Sequence, residues 1–178
     1  MADFDISFDI TILKEGRYVD SEFDMGGKTM FGVTEKVARA NGYTGEMQDL
    51  PIEFAKEIFR TYWDAMKLDL VESQLIANEL FDSGILHGVF HPVRWLQENL
   101  NALNQMEKAW NDLKEDGNVG MKTLGILNVV VKLPRMVDRI LKMMNSDQTQ
   151  HMKSFSRKKK SQEMNLRGWL DHRVKMPA

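Results

Sequence analysis

The segment that most constrains the fold follows Pro51, where apolar side chains recur at the three- and four-residue spacing of an α-helix. The row consists of Ala55, Ile58, Phe59, Tyr62, Trp63 and Met66. Residues at this spacing share one face of a helix, whereas on a strand they would fall on both faces. Shorter rows of the same kind recur along the rest of the chain. The sequence therefore predicts an all-α protein of roughly six to nine helices with little or no sheet.

Residues 16–33 interrupt this helical pattern. They hold four of the 12 glycines of the chain and show no apolar period. Such a composition is typical of a loop, here with room for a short hairpin. Thr34 is a plausible N-cap for a helix that would end at Asn41 and Gly42.

The segment 4–13 remains open between strand and helix on its residues alone. Its apolar residues alternate along the chain, which favours a strand. Phe4, Phe8 and Ile12 also form a helical row at four-residue spacing. The alternating residues are Phe4, Ile6, Phe8, Ile10 and Ile12.

Composition limits the class of protein. With 178 residues, 43% hydrophobic and 28% charged, the chain has the composition of an ordinary globular protein. It has no cysteine, so disulfides and thiolate metal sites are excluded. The acidic start of the sequence lacks the basic region of a signal peptide, and no apolar run is long enough to span a bilayer. We expect the protein to be cytoplasmic as synthesised and to need no cofactor.

Charge is unevenly distributed along the chain. Positions 151–178 carry Lys and Arg in clear excess, including the run from Arg157 to Lys160. This asymmetry fits either an anionic partner or an ordinary solvated helix face. Only Phe155 interleaves the run with an aromatic ring, so we expect no nucleic-acid partner.

Two histidines, His87 and His91, stand four positions apart, a spacing that could place two metal ligands on one helix face. Gly88 and Pro92 interrupt that helix. We therefore expect no metal site.

The residues around the glycine-rich loop fit the needs of glycosidic bond cleavage. This reaction needs one protonated carboxyl group as acid and a second carboxylate that activates water or attacks the sugar. Glu15 follows an apolar segment that could desolvate it and raise its pKa. Asp24 in the loop would remain ionised, although Asp20 and Glu22 compete for the second role. The alternative is an ordinary surface carboxylate beside an ordinary turn.

Other loop residues are candidates for positioning and substrate binding. Gly26 and Gly27 permit a close fold-back of the backbone, and Thr29 could orient a water through its hydroxyl. Tyr18 is a candidate to stack on a sugar ring. Trp63 and Trp95 lie on apolar rows and are expected in the core.

The loop also resembles the signature of glycoside hydrolase family 108, the N-acetylmuramidases found in phages, prophages and many bacteria. That signature is roughly E-G-G-Y-V, then D-P-G-G-x-T, then G-I-T. The matching runs here are Glu15-Gly16-Arg17-Tyr18-Val19, Asp24-Met25-Gly26-Gly27-Lys28-Thr29 and Gly32-Val33-Thr34. Further matches are Tyr62-Trp63-Asp64, Phe81-Asp82 with Gly88, Trp95-Leu96-Gln97, Asp116-Gly117 with Gly120 and Thr123-Leu124, and Arg167-Gly168-Trp169-Leu170 with Arg173.

This resemblance implies a lysozyme-like fold in which residues 4–13 form a helix leading to Glu15 as the catalytic acid. The spacing of Glu15, Asp24 and Thr29 is also similar to that of phage-type lysozymes, which makes Asp24 and Thr29 the second-tier catalytic candidates. It implies a catalytic region over 1–90 and a helical peptidoglycan-binding region over 91–178, packed together as one unit. The implied function is that of an endolysin-like hydrolase that cleaves the peptidoglycan glycan strand beside N-acetylmuramic acid, reaching the wall through a holin-type exit.

Several positions depart from the family pattern. Arg17 stands where Gly is usual, Met25 where Pro is usual, and Leu86 where Asn is often seen. These departures motivate the alternative of a non-catalytic wall-binding or secretion-associated protein on the same fold. A third interpretation keeps the enzyme and changes its chemistry to transglycosylation.

Overall fold

The computed structural model describes residues 1–15, 18–19 and 28–174, and within these ranges helices dominate. The described residues form eight α-helices, which are α1 Phe4–Glu15, α2 Glu35–Ala40, α3 Ile52–Ala65, α4 Gln74–His87, α5 Phe90–Ala102, α6 Met121–Val130, α7 Met136–Lys158 and α8 Glu163–Arg173. Three two-residue strands, β1 Tyr18–Val19, β2 Thr29–Met30 and β3 Val33–Thr34, form a small antiparallel sheet in the order β1-β2-β3. The predicted fold class, mainly helical and lysozyme-like with little sheet, is confirmed.

Helix α1 settles the ambiguity of residues 4–13 in favour of the helix. Its buried face combines Phe4 and Phe8 with the polar Ser7 and Thr11, while Ile6 is 48% exposed. The hydroxyl of Ser7 donates to Oδ1 of Asn78 at 2.6 Å and accepts from Nε2 of Gln74 at 2.9 Å. Because buried polar groups keep hydrogen-bond partners, this row is stable in the core although it is not uniformly apolar.

Helices α1 and α4 run in the same direction. The backbone N–H of Asp3 donates to Gln74 and the hydroxyl of Ser7 donates to Asn78, two pairs that are each 71 positions apart. A constant offset between two packed helices means that they are parallel. The ends of α1 and α4, at Glu15 and His87, therefore lie at the same end of this helix pair.

Helix α2 begins and ends where the sequence predicts. Thr34 is its N-cap, with Oγ1 accepting from the backbone N–H of Val37 at 3.4 Å. The helix ends at Ala40, and Gly42 follows in the left-handed region at φ 88°. Both cap predictions are confirmed.

The sequence predicts that the helix marked by Leu75, Ile76, Leu80 and Phe81 ends near Gly84, which is wrong because α4 continues to His87. A Cβ built on Gly84 would lie 2.7 Å from Cε of Met66, a side chain that is fully buried. The glycine therefore permits close packing inside the helix instead of ending it.

Pro134 predicts the start of a later helix, since proline is common in the first helical turn. Helix α7 begins instead at Met136, after Arg135 at φ 62°.

An aromatic cluster joins α1, α3 and α4. The rings of Phe4, Trp63 and Phe81 contact one another edge to face with centroids 5.5 to 5.7 Å apart. Such geometry adds to the stabilisation that burial provides. Trp63 is fully buried and its indole N–H donates to Asp69, while Trp95 is 8% exposed. The prediction that both tryptophans belong to the core is confirmed.

Helix α7 packs against α4 and α5 on one side and against α8 further along the chain. Its buried row repeats every four residues and includes Ile140, Met144, Gln148 and Met152. Gln148 donates through Nε2 to the hydroxyl of Ser83 on α4 at 3.0 Å. Within the described ranges, none of the helices combines the length and the apolar character needed to cross a membrane.

Candidate functional site

Glu15 is the last residue of α1, and strand β1 begins three positions later at Tyr18. The side chain of Tyr18 is half-buried and packs against the core. The candidate acid and the candidate sugar-stacking residue thus lie on either side of one helix-to-strand junction.

The small sheet returns Thr29 to this junction. Tyr18 pairs with Met30, and Val19 pairs with Thr29. Residues paired across antiparallel strands have Cα atoms only about 5 Å apart. Fourteen positions beyond Glu15 in the sequence, Thr29 therefore lies beside the backbone that immediately follows it.

The turn between β2 and β3 explains one of the sequence motifs. Phe31 and Gly32 both have positive φ, at 52° and 78°, as a two-residue hairpin turn of type I′ requires. Val33 follows and is 1% exposed, and Thr34 then caps α2. The run Gly32-Val33-Thr34 is therefore a turn, a core contact and a helix cap, so its role is structural.

Several candidates lie outside the described residues. They are Asp24, Gly26 and Gly27, together with the departures Arg17 and Met25 and the competing carboxylates Asp20 and Glu22. The grouping of Glu15 with Asp24 remains a prediction for this reason.

A groove of about 270 Å³ lies between α2 and α3. Its polar lining is Asn41, Thr61 and Tyr62, and its apolar wall includes Val37 and Ile58. Tyr62 belongs to the Tyr62-Trp63-Asp64 motif. The three residues have different surroundings. Tyr62 lines the groove, Trp63 is buried in the core, and Asp64 forms an ion pair with Arg60 at 2.8 Å. This groove could not be predicted from the sequence, because its walls come from two separate helices.

A buried carboxylate, Glu79, was not among the candidates. It lies on α4 with 8% exposure, and the hydroxyl of Ser83 donates to its Oε1 at 3.4 Å. Gln148 donates in turn to Ser83, so the three side chains form a polar chain from α7 into the first half of the protein. An acidic residue inside the apolar row of Ile76 and Leu80 is the sequence signal that could have indicated it.

Three histidines lie together at the end of α4, and one of them, His151, comes from the distant helix α7. The ring of His151 lies 4.8 Å from that of His87 and 4.4 Å from that of His91, centroid to centroid. Burial, followed by the neighbouring His151, His91 and Arg173, lowers the pKa of His87 to about 3. Leu86, which stands where the family often has Asn, is half-buried beside them.

The described part of the chain contains no group of three or more histidine, aspartate or glutamate side chains arranged to hold a metal ion. The helix is interrupted at Gly88, as predicted: α4 ends at His87 and α5 begins at Phe90, so His87 and His91 lie on different helices.

The Asp116-Gly117 motif forms a tight loop that docks on α5. Gln97 is buried and accepts from the backbone N–H of Gly117 at 2.9 Å. Its Nε2 donates to the carbonyl of Asn118 at 3.0 Å and to Oδ1 of Asp116 at 3.2 Å. The backbone N–H of Asn118 and the side chain of Gln97 lower the pKa of Asp116 by donating to its carboxylate. This motif too has a structural role.

Two family models match successive parts of the chain. Residues 8–88 match the family model described as Glycosyl hydrolase 108, and residues 91–174 match the model described as Predicted Peptidoglycan domain. The comparison with curated proteins gave no significant match.

Among solved structures, that of SagA from Brucella abortus is similar to the chain with a TM-score of 0.66 at 22% sequence identity. The match covers 97% of this chain and 96% of that chain, so the two proteins share their fold over almost their full lengths. The two family models follow each other along the chain and leave only short segments unmatched. Residues 8–88 are therefore a glycosyl hydrolase 108 region and residues 91–174 a predicted peptidoglycan domain, which together make the protein a glycoside hydrolase of peptidoglycan.

Proposed function

We propose that the protein is an N-acetylmuramidase that cleaves the glycan strand beside N-acetylmuramic acid, with Glu15 as the general acid. The observation that carries this proposal is the position of Glu15 at the C-terminal end of α1, within the part of the chain that matches Glycosyl hydrolase 108.

The end of a helix suits a carboxyl group that must deliver a proton. The peptide dipoles of α1 place partial negative charge at its C-terminal end, which favours the neutral form of a carboxyl group there. A general acid needs this, because it must hold its proton until the leaving oxygen takes it. Glu15 in this role protonates the oxygen of the scissile bond.

The second group in the proposal is Asp24, assisted by Thr29. Support comes from the strand register, in which Thr29 pairs with Val19 just after Glu15. A hydroxyl at this position can hold the attacking water with one hydrogen bond. The charge of Asp24 balances the oxocarbenium-like charge of the transition state.

The groove between α2 and α3 is proposed as part of the substrate-binding surface. It is open, borders the helix α2 that directly follows β3, and offers hydroxyl and amide groups from Thr61, Tyr62 and Asn41 to sugar hydroxyls. Tyr18 would stack on a sugar ring, and Gly26 and Gly27 would let the loop approach the glycan strand closely.

The test is mass spectrometry of the products released from purified peptidoglycan. Wild type should release fragments with reducing muramic acid ends, and Glu15→Gln should release them at least about 10²-fold more slowly, since a general acid contributes that much or more. Glu57→Gln, a matched change on the exposed face of α3, should act like wild type. Unchanged cleavage by Glu15→Gln would refute the acid assignment, and anhydro-muramic ends would indicate transglycosylation.

A further inference from the structure

A second cavity, of about 350 Å³, lies where α4, α5, α7 and α8 meet. It is distinct from the groove between α2 and α3 and has no residue in common with it. Most of its lining consists of rings contributed by all four helices, with Leu86 and Met152 completing it. These rings belong to His87, His91, His151, Phe155 and Trp169.

The rings are arranged in two groups around the cavity. His151 contacts both His87 and His91, and the three pack in front of the buried Trp95. On the other side, Phe155 lies 6.2 Å from Trp169, centroid to centroid. Each ring that lines the cavity is only half-buried, so part of its surface is open to a ligand.

One polar atom in this lining lacks a partner. Nε2 of His87 is buried, and none of the described residues forms a hydrogen bond with it. A buried polar atom without a partner is unfavourable. Because Nε2 is closed to solvent, a ligand in the cavity would meet the open part of the His87 ring and not this atom. Because burial lowers the pKa of His87 to about 3, its imidazole is neutral at ordinary pH and offers one donor and one acceptor nitrogen.

Two lysines of the basic run lie near the cavity. Nζ of Lys159 lies 5.5 Å from the centroid of the Phe155 ring. Lys158 is exposed and close enough to His151 to help lower the pKa of that imidazole. The basic run at the end of α7 is therefore located beside the ring-lined cavity.

We infer that this cavity binds one N-acetylmuramic acid unit of the glycan strand, and the inference rests on the proposed function in that peptidoglycan is the ligand. The apolar face and acetyl group of the sugar would pack on Phe155 and Trp169. The sugar hydroxyls would contact the half-buried rings of His87, His91 and His151. The lactyl arm of the muramic acid, which carries the acidic stem peptide, would extend towards Lys158.

Size and chemistry both favour a single sugar residue. The volume lies at the lower end of the range for small-molecule sites, which bind their ligands through apolar contact and a few placed polar groups. A basic helix end alone would attract any polyanion. The rings that line the cavity add apolar surface for the face and the acetyl group of a sugar.

The first test measures retention on purified sacculi by sedimentation, in the Glu15→Gln background so that retention is not lost through cleavage. Trp169→Ala should weaken retention by about tenfold or more, as the loss of a buried aromatic anchor does. Trp169→Phe keeps a ring and should retain binding, and Met164→Ala on the exposed face of the same helix should not matter. Full retention of Trp169→Ala, or an equal loss with Met164→Ala, would overturn the inference.

The second test uses the unmutated protein and does not depend on a variant that folds. Titration with soluble muramyl dipeptide should shift the imidazole NMR signals of His87 and His151 and leave those of the exposed His172 unchanged. Unchanged signals for His87 and His151 at saturating ligand would overturn the inference. Neither test reads out cleavage, so a failure of this site and a failure of Glu15 as the acid are distinguishable.

The arm of the muramic acid is tested separately. Lys158→Gln should weaken binding of muramyl dipeptide, while Lys153→Gln, a matched change one turn earlier on α7, should leave it unchanged. Binding of an uncharged N-acetylglucosamine oligomer should be insensitive to both changes. Equal affinity of Lys158→Gln and Lys153→Gln for muramyl dipeptide would refute the assigned orientation of the ligand.

Discussion

Asp82 on α4 and Arg173 on α8 form a buried ion pair, with Oδ1 of the aspartate 2.7 Å from Nη1 of the arginine. Their side chains are only 5% and 7% exposed. The pair joins residues 91 positions apart and holds the last helix against the first half of the chain. Both belong to sequence motifs, Phe81-Asp82 and Gly168-Trp169-Leu170 with Arg173, so these motifs serve to assemble the fold.

Removing one member of this pair should be costly. Arg173→Ala leaves the Asp82 carboxylate buried without its arginine, and breaking a buried pair in this way typically lowers the free energy of unfolding by about 3–5 kcal/mol. The measurement is urea denaturation followed by circular dichroism.

The matched control for this prediction is Arg94→Ala. Arg94 forms an exposed pair with Glu98 one turn away on α5, and its loss should cost about 0.5 kcal/mol or less. The double change Asp82→Leu with Arg173→Met should be less destabilising than Arg173→Ala, since it removes both charges. Equal stability of Arg173→Ala and Arg94→Ala would contradict the importance assigned to the buried pair.

Two glycines should respond to alanine with opposite signs. Gly117 has φ 68°, and a Cβ there would lie 2.4 Å from Cδ2 of Phe90. Gly117→Ala should therefore destabilise the protein by about 1–3 kcal/mol through backbone strain and the clash. Gly125→Ala, where a Cβ would meet nothing within 4 Å in the helix α6, should stabilise it by about 0.5–1 kcal/mol. Thermal melting of both variants against wild type tests the pair, and equal shifts would contradict it.

Helix α1 shows why the fold could be only partly predicted from single residues. Its apolar residues alternate, yet the face that enters the core consists of Phe4, Ser7, Phe8 and Thr11. The hydroxyl of Ser7 is stable there because Gln74 and Asn78 bond to it from a distant part of the chain. Local pattern could not contain that information, and the resemblance to a family supplied the correct helix.

The candidate site could likewise be predicted only in part from the sequence. Glu15, Tyr18 and Thr29 were identified by sequence motif, and the hairpin brings the last two into neighbouring strands. The cluster of His87, His91 and His151 had no sequence signature, because His151 reaches it from another helix. Gly84 was misinterpreted as a helix end because its close approach to Met66 is a tertiary contact.

Stability should fall in mild acid because of the histidine cluster. Burial lowers the folded-state pKa of His87 from 6.5 to about 3, and the pKa of His151 is lowered as well. The unfolded chain therefore binds protons that the folded chain excludes. The full contribution is present above pH 6.5 and is lost progressively towards pH 3, by up to about 1.4 kcal/mol per pH unit for one such group.

Urea denaturation at several pH values between 7 and 4 would measure this dependence. His87→Gln should flatten the curve in this window because it removes the most strongly shifted group, whatever it does to stability at pH 7. His172→Gln, which changes an exposed histidine on α8, should keep the slope of wild type. The same slope in all three proteins would exclude His87 as the source.

Thr29 gives the sharpest test of the sheet's part in the proposed chemistry. Thr29→Val keeps the shape of the side chain in β2 and removes the hydroxyl that would hold the attacking water. A misplaced reactant costs about 10²-fold in rate, so kcat on purified peptidoglycan should fall by that order. KM should change little because the lost interaction acts in the transition state.

Two controls accompany this prediction. Thr29→Ser should restore most of the rate. Thr149→Val on α7, where the threonine hydroxyl donates to the carbonyl of Asn145 in the same helix, should be as active as wild type. If Thr29→Val were as active as Thr29→Ser, the hydroxyl would have no part in positioning water, and Asp24 would have to do so without it.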